Sequence, residues 1–172
     1  MFKKTLLATA MVVTGGFVMT APAATTAQFD VRITITPACS VVAGAGSDID
    51  FGNVPADTAA GDALLKDSNT ISVTCSKTTP YIVGLATGDG NNGTGQMSGT
   101  GANLDKVPYS LFQDAGYSVV WGNTGTAVGS AGNDYAGTGT GSTQAIPVYA
   151  EVTNANWTPD TYTDTVTVNV LF

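Results

Sequence analysis

The sequence predicts an all-β fold, an antiparallel β-sandwich, and three observations carry that reading. Short runs alternate apolar and polar residues with period two, and Gly, Asn, Asp and Pro punctuate them at short intervals. Helix-period patterning is almost absent, while the 172 residues include 21 Gly and only 11% charged side chains. That length suits one domain with one core.

The chain opens on a targeting pattern. Lys3 and Lys4 precede an apolar stretch from Leu6 to Val18, and Ala21-Pro22-Ala23 offers a small-x-small cleavage site. Residues 1–23 are expected to be a cleaved signal peptide, with the mature chain beginning near Ala24. The alternative, an uncleaved anchor, is opposed by Thr14, Gly15 and Gly16, which interrupt a run already short for a bilayer span.

The next segment, AQFDVRITIT over 27–36, sends Phe29, Val31, Ile33 and Ile35 one way and Asp30, Arg32, Thr34 and Thr36 the other. Pro37 interrupts it, having no ladder donor. Two readings stand: an ordinary first strand of its own domain, or a free donor strand that adds to a neighbouring subunit. Cys39 and Cys75, the chain's 2 cysteines, follow within strand-like flanks, PACSVV and ISVTCS. In an exported chain they are expected to form a disulfide rather than a metal site or a reactive thiol.

Further strands are read at CSVVA (39–43), DIDFGNV (48–54), TISVTC (70–75), YIVGLAT (81–87), VPYSLFQD (107–114), YSVVWG (117–122) and AIPVYAEV (145–152). Between them, DTAAGDALL could hold a turn or two of helix, weakened by Gly61. Pro108 and Pro147 predict edge positions or bulges. The Gly-rich stretches TGDGNNGTGQMSGTGANL and GTAVGSAGNDYAGTGTGS read as loops, and Trp121 and Trp157 as core anchors, with inter-subunit contacts the alternative. The last strand, in YTDTVTVNVLF, alternates Val166, Val168, Val170 and Phe172 with Thr165, Thr167, Asn169 and Leu171. No hairpin partner follows it, so its open edge is expected to pair elsewhere in the sequence or in another molecule.

Composition narrows the function. Without the signal, four cations face thirteen acids, a formal charge of −9. Nucleic acid and anionic membrane surfaces are therefore poor partners. With His 0 there is no Ser-His-Asp or Cys-His arrangement and no His-based zinc site. Asp48 and Asp50 form an acid pair by spacing alone, which reads as solvated surface. GDGNNGTG at 88–95 has the flavour of a calcium loop but lacks the acid at the twelfth position, so it reads as a turn. GTGTGS has no Walker lysine. No enzyme activity, catalytic residue, metal or cofactor is expected.

In order, QFDVRITITPAC, IDFGNV, ISVTC, VPYSLFQD, WG, IPVYAEV and the terminal YTDTVTVNVLF resemble the spore coat protein U domain family, which includes major subunits of archaic, Csu-type chaperone–usher pili. The resemblance spans the mature chain except the Gly-rich middle. It implies an incomplete immunoglobulin-like β-sandwich over 37–172, completed by donor-strand exchange with residues 24–36 of a neighbouring copy. Val166, Val168, Val170 and Phe172 would line the acceptor groove, and Phe29, Val31, Ile33 and Ile35 would fill it. The partners implied are copies of itself, a periplasmic chaperone and an outer-membrane usher, with no membrane insertion after signal cleavage. The implied role is a shaft subunit of a surface pilus supporting attachment and biofilm formation. A secreted coat component, or a carbohydrate-binding or adhesin sandwich module, is the alternative.

Overall fold

The computed structural model describes residues 25–43, 46 and 48–172, so the expected signal peptide lies outside the described residues. The chain divides into a unit ending at Thr34 and a unit Ile35–Phe172. In the first, residues 25–34 carry no strand or helix, and Phe29, Val31 and Ile33 are exposed. The strand read over 27–36 is therefore not formed within the chain.

The second unit is built from eight strands among the described residues: β1 (Cys39–Val42), β2 (Lys66–Cys75), β3 (Pro80–Ala86), β4 (Thr94–Ser98), β5 (Lys106–Phe112), β6 (Tyr135–Thr138), β7 (Thr143–Val152) and β8 (Thr167–Leu171). They form two antiparallel sheets, one of five strands in the order β1-β2-β7-β5-β4 and one of three in the order β6-β3-β8. The longest ladder joins β2 to β7, from Lys66 opposite Glu151 to Thr74 opposite Thr143. Period two places Ile71, Val73 and Cys75 of β2, Ile146, Val148, Ala150 and Val152 of β7, and Val107, Tyr109 and Leu111 of β5 on one face. Tyr81, Val83 and Leu85 of β3 meet them from the other sheet. Trp121 fills the core with no exposed surface, and its indole N–H donates to the Val83 carbonyl at 2.7 Å. Trp157 is half-buried at the margin.

The helix signal amounts to one 3₁₀ turn, Ala63–Leu65, whose cap residue Asp62 accepts from the Leu64 N–H at 2.9 Å. Pro108 and Pro147 lie in interior strands, yet each sits where one neighbour is unpaired. The β5–β7 ladder starts at Tyr109 opposite Val152 and runs to Phe112 opposite Tyr149, so Pro108 pairs only with Gln96 of β4 and Pro147 only with Thr70 of β2.

Four expectations are corrected. Residues 48–54 form no strand: Ile49, Phe51 and Val54 do pack on the core, but the Asp50 N–H donates to the Asp67 carboxylate at 3.0 Å and the Asp48 carbonyl accepts from the Asn69 amide at 2.6 Å. Side chains have taken the ladder's groups. Residues 117–122 form a loop for the same reason, because the Asp114 carboxylate accepts from the N–H groups of Gly116, Ser118 and Val119. Those hydrogen bonds, led by the one from Val119, hold the Asp114 carboxyl below its usual range. Conversely, the two Gly-rich stretches hold β4 and β6. A Cβ on Gly95 would come within 2.6 Å of the Tyr109 ring, and one on Gly137 within 2.4 Å of Tyr81. Aromatics of the neighbouring strands occupy the space where β4 and β6 would otherwise show an apolar side chain.

Candidate strand-acceptor site

A strand needs partners on both edges unless something blunts one of them. Among the described residues, β8 pairs only with β3, from Ala86 opposite Thr167 to Ile82 opposite Leu171. Within the same residues, β1 pairs only with β2, from Cys39 opposite Cys75 to Val42 opposite Ser72. The two approach each other across the sandwich without a ladder between them. Each therefore presents an open edge of backbone N–H and C=O groups beside the same stretch of core.

Side-chain burial follows from that opening. Val166, Val168 and Val170 pack against the core yet remain half-buried, as do Cys39 and Val41 on β1. The structure thus brings together three of the four residues expected to line one wall. Phe172 is apart from them: it lies beyond the end of β8, is 56% exposed, and borders a surface depression of about 630 Å³ with Ile35, Thr36, Pro37, Lys77, Pro80 and Val128. On the opposite side, where the sequence pointed to no residues, Cys39 and Val41 of β1 turn toward the same core, and the alternation in CSVV was the available signal.

Two carboxylates fix the approach to β8. Asp164 accepts from the Tyr109 hydroxyl at 2.7 Å, and this contact together with burial raises the Tyr109 pKa, burial being the larger cause. Asp160 accepts from the Thr100 hydroxyl and N–H and from the Asn103 amide. Those bonds, the Thr100 hydroxyl's first, hold its carboxyl well below the usual carboxylate range. Between them Thr163 exchanges backbone bonds with Ser98 at 2.8 and 3.0 Å, so the run into β8 is anchored to the rim of the five-stranded sheet.

At the other wall, Cys39 and Cys75 form the expected disulfide, closing a loop with a sequence separation of 36. It ties the first residue of β1 to the last of β2. The four apolar residues expected to fill the groove, Phe29, Val31, Ile33 and Ile35, are each more than four-fifths exposed, at 82% to 88%. Among the described residues, no helix is long and apolar enough to cross a membrane, and the alternating segment is not helical at all.

Comparison with known proteins gives three findings. No curated protein matches the chain. Among solved structures, it is similar to the crystal structure of the CsuC-CsuE chaperone-tip adhesion subunit pre-assembly complex from archaic chaperone-usher Csu pili of Acinetobacter baumannii, at 24% identity and a TM-score of 0.49. That match covers 81% of this chain and 40% of the other, so the chain spans well under half of the solved chain it resembles. The model of the Spore Coat Protein U domain matches residues 25–169, which takes in the exposed alternating segment, the disulfide, both sheets and β8 as far as Asn169. The chain is a member of the spore coat protein U domain family.

Proposed function

We propose that this chain is a structural subunit of a chaperone–usher pilus that polymerises by donating residues 24–36 to the open edge of a neighbouring copy. The observation that carries the reading is the half-buried row Val166, Val168 and Val170 beside two unpaired strand edges, in a chain that also exposes Phe29, Val31, Ile33 and Ile35 at matching period. A β-strand with one apolar face is the shape that such a gap accepts: its backbone pairs the free edges and its side chains finish the core.

Magnitudes support a durable joint. Burying four large apolar side chains contributes about 1.5–3 kcal/mol each, or about 6–12 kcal/mol in all, before ladder bonds and before the entropy of ordering the segment. Release would require water to enter a completed core, so persistence is set by a slow dissociation rate. Before assembly the same edge needs temporary cover, which is the task of a periplasmic chaperone; an outer-membrane usher then exchanges that cover for the next subunit. Export through the periplasm, a surface location, and a part in attachment and biofilm formation follow from this reading. It assigns the protein a structural role without catalysis.

The test is a denaturing gel of the exported protein without boiling, run beside a variant lacking residues 24–36. The expected result is a ladder of multimers that collapses on heating and is missing from the deletion. Monomer in both lanes, with the intact chain folded, would overturn strand exchange and favour a coat or binding module.

A further inference from the structure

Both ends of β3 are closed by tight turns, and each turn carries one exposed charge. At the start, the Thr79 N–H donates to the Ser76 carbonyl at 3.1 Å, and Thr78, at φ 63°, donates to the Gly139 carbonyl at 2.8 Å. Lys77 stands at the tip of that turn, exposed. At the far end, Thr87 and Gly90 exchange both backbone hydrogen bonds, at 3.0 and 3.3 Å, and hold Gly88 and Asp89 out as an exposed tip. The Asp164 carboxylate lies beside it, 3.4 Å from the Gly88 N–H.

Among the described residues these charges have no partner in their own chain. The one ion pair joins Lys66 to Glu151 at 3.4 Å, and the Lys106 ammonium donates to the Ser98 hydroxyl. Lys77 and Asp89 make no such contact. The seven residues of β3 separate them by about 23 Å at the rise of an extended strand, so they cannot reach each other within one molecule.

Lys77 also marks where the donated segment joins the body. The Ala38 N–H donates to the Ser76 hydroxyl at 3.1 Å, and the Ser76 N–H donates to the Ala38 carbonyl at 2.9 Å. Only Thr36, Pro37 and Ala38 lie between Ile35 and Cys39, a reach of about 14 Å fully extended. A body whose segment is seated in a neighbour must therefore press against the end of that neighbour's groove, with its Lys77 turn foremost.

Which end it meets depends on strand direction. Because β8 runs antiparallel to β3, the Asp164 end of the open edge lies by the Asp89 turn and the Leu171 end by the Lys77 turn. A segment running antiparallel to β8 leaves the groove at the acidic end and brings its own Lys77 there. A parallel segment would leave at the other end and bring lysine against lysine. Backbone pairing and charge favour the same arrangement.

We propose that Lys77 of each copy docks against the Asp89 turn of the copy that holds its segment, a head-to-tail contact between bodies that is separate from the groove. It rests on the strand-exchange reading. An exposed pair of this kind adds little affinity, so its work is to orient the arriving body and favour one polarity.

Zero-length carbodiimide coupling on purified multimers tests it, because only an amine and a carboxylate in contact are joined. The expected product is a species that survives boiling and reductant, in which a Lys77 peptide is joined to an Asp89 peptide. Lys77→Arg keeps the charge but cannot be coupled, so it should remove that joined peptide while leaving the heat-sensitive ladder. A heat-sensitive ladder in which Lys77 is joined to another acid, or to none, overturns this contact and leaves strand exchange standing. No heat-sensitive ladder at all overturns both.

Discussion

β3 and β8 are neighbours in one sheet, paired residue by residue, and their surroundings differ sharply. In β3 every residue from Tyr81 to Leu85 is buried; in β8 none is. Both faces of β3 are covered, the inner by the core and the outer by the loop that leads into β6, where a Cβ on Gly125 would come within 2.7 Å of Ile82 Cδ1. β8 has β3 on one side and an open edge on the other. Its valines are as apolar as those of β3, so what separates the strands is the number of neighbours. Burial is a property of the assembly around a strand as much as of its own residues.

The sharpest way to break the comparison is to keep β8 from gaining its second neighbour. Ile33→Asp should abolish heat-sensitive multimers while leaving export of folded protein intact, since a carboxylate cannot enter an apolar groove without a partner. Normal multimers from that variant would remove Ile33 from the groove. Next come truncations on either side of the core. Trp121→Ala should cost about 3–5 kcal/mol in urea unfolding of the monomer, whereas Val168→Ala should cost less than about 1.5 kcal/mol there and show its larger effect on the heat resistance of multimers. Equal losses in the monomer would mean that β8 is already as enclosed as β3.

A smaller effect comes from Asp160, which anchors the run leading into β8. Its pKa is lowered on folding, so the stability it contributes is complete above the ordinary carboxylate value and is lost as pH falls through the depressed folded value. The melting temperature of Asp160→Asn should thus fall below that of the parent at neutral pH, and the gap should close in strong acid. A gap that widens on acidification would contradict the assignment. The least expected change is at Tyr81, on the enclosed strand: its buried hydroxyl has no hydrogen-bond partner among the described residues, so Tyr81→Phe should leave stability unchanged or raise it by about 1 kcal/mol.

What could be read in advance divides along the same line. β2, β5, β7 and β8 show period two because each carries its own apolar residues toward the core. β4 and β6 do not, since Tyr109 and Tyr81 reach over Gly95 and Gly137, and the hydrophobic signal sits in the partner strand. In DIDFGNV the inward residues were legible but the backbone was not, because Asp67 and Asn69 outbid a ladder from a distance in sequence. The valine row of β8 was legible as alternation, and the family resemblance gave it its expected place in a groove; Cys39 and Val41 could be set beside it only by knowing which edges lie open. The displacement of Phe172 depended on where β8 stops.

The disulfide has a mechanical side. Any pull on the segment before Cys39 arrives first at β1, a four-residue ribbon held along one edge, which could be peeled away one bond at a time. The bond to Cys75 diverts that load to the end of β2, whose ladder to β7 runs for nine residue pairs. Tension is then shared along a ladder loaded in shear, and a short strand at the rim becomes a sound point of attachment.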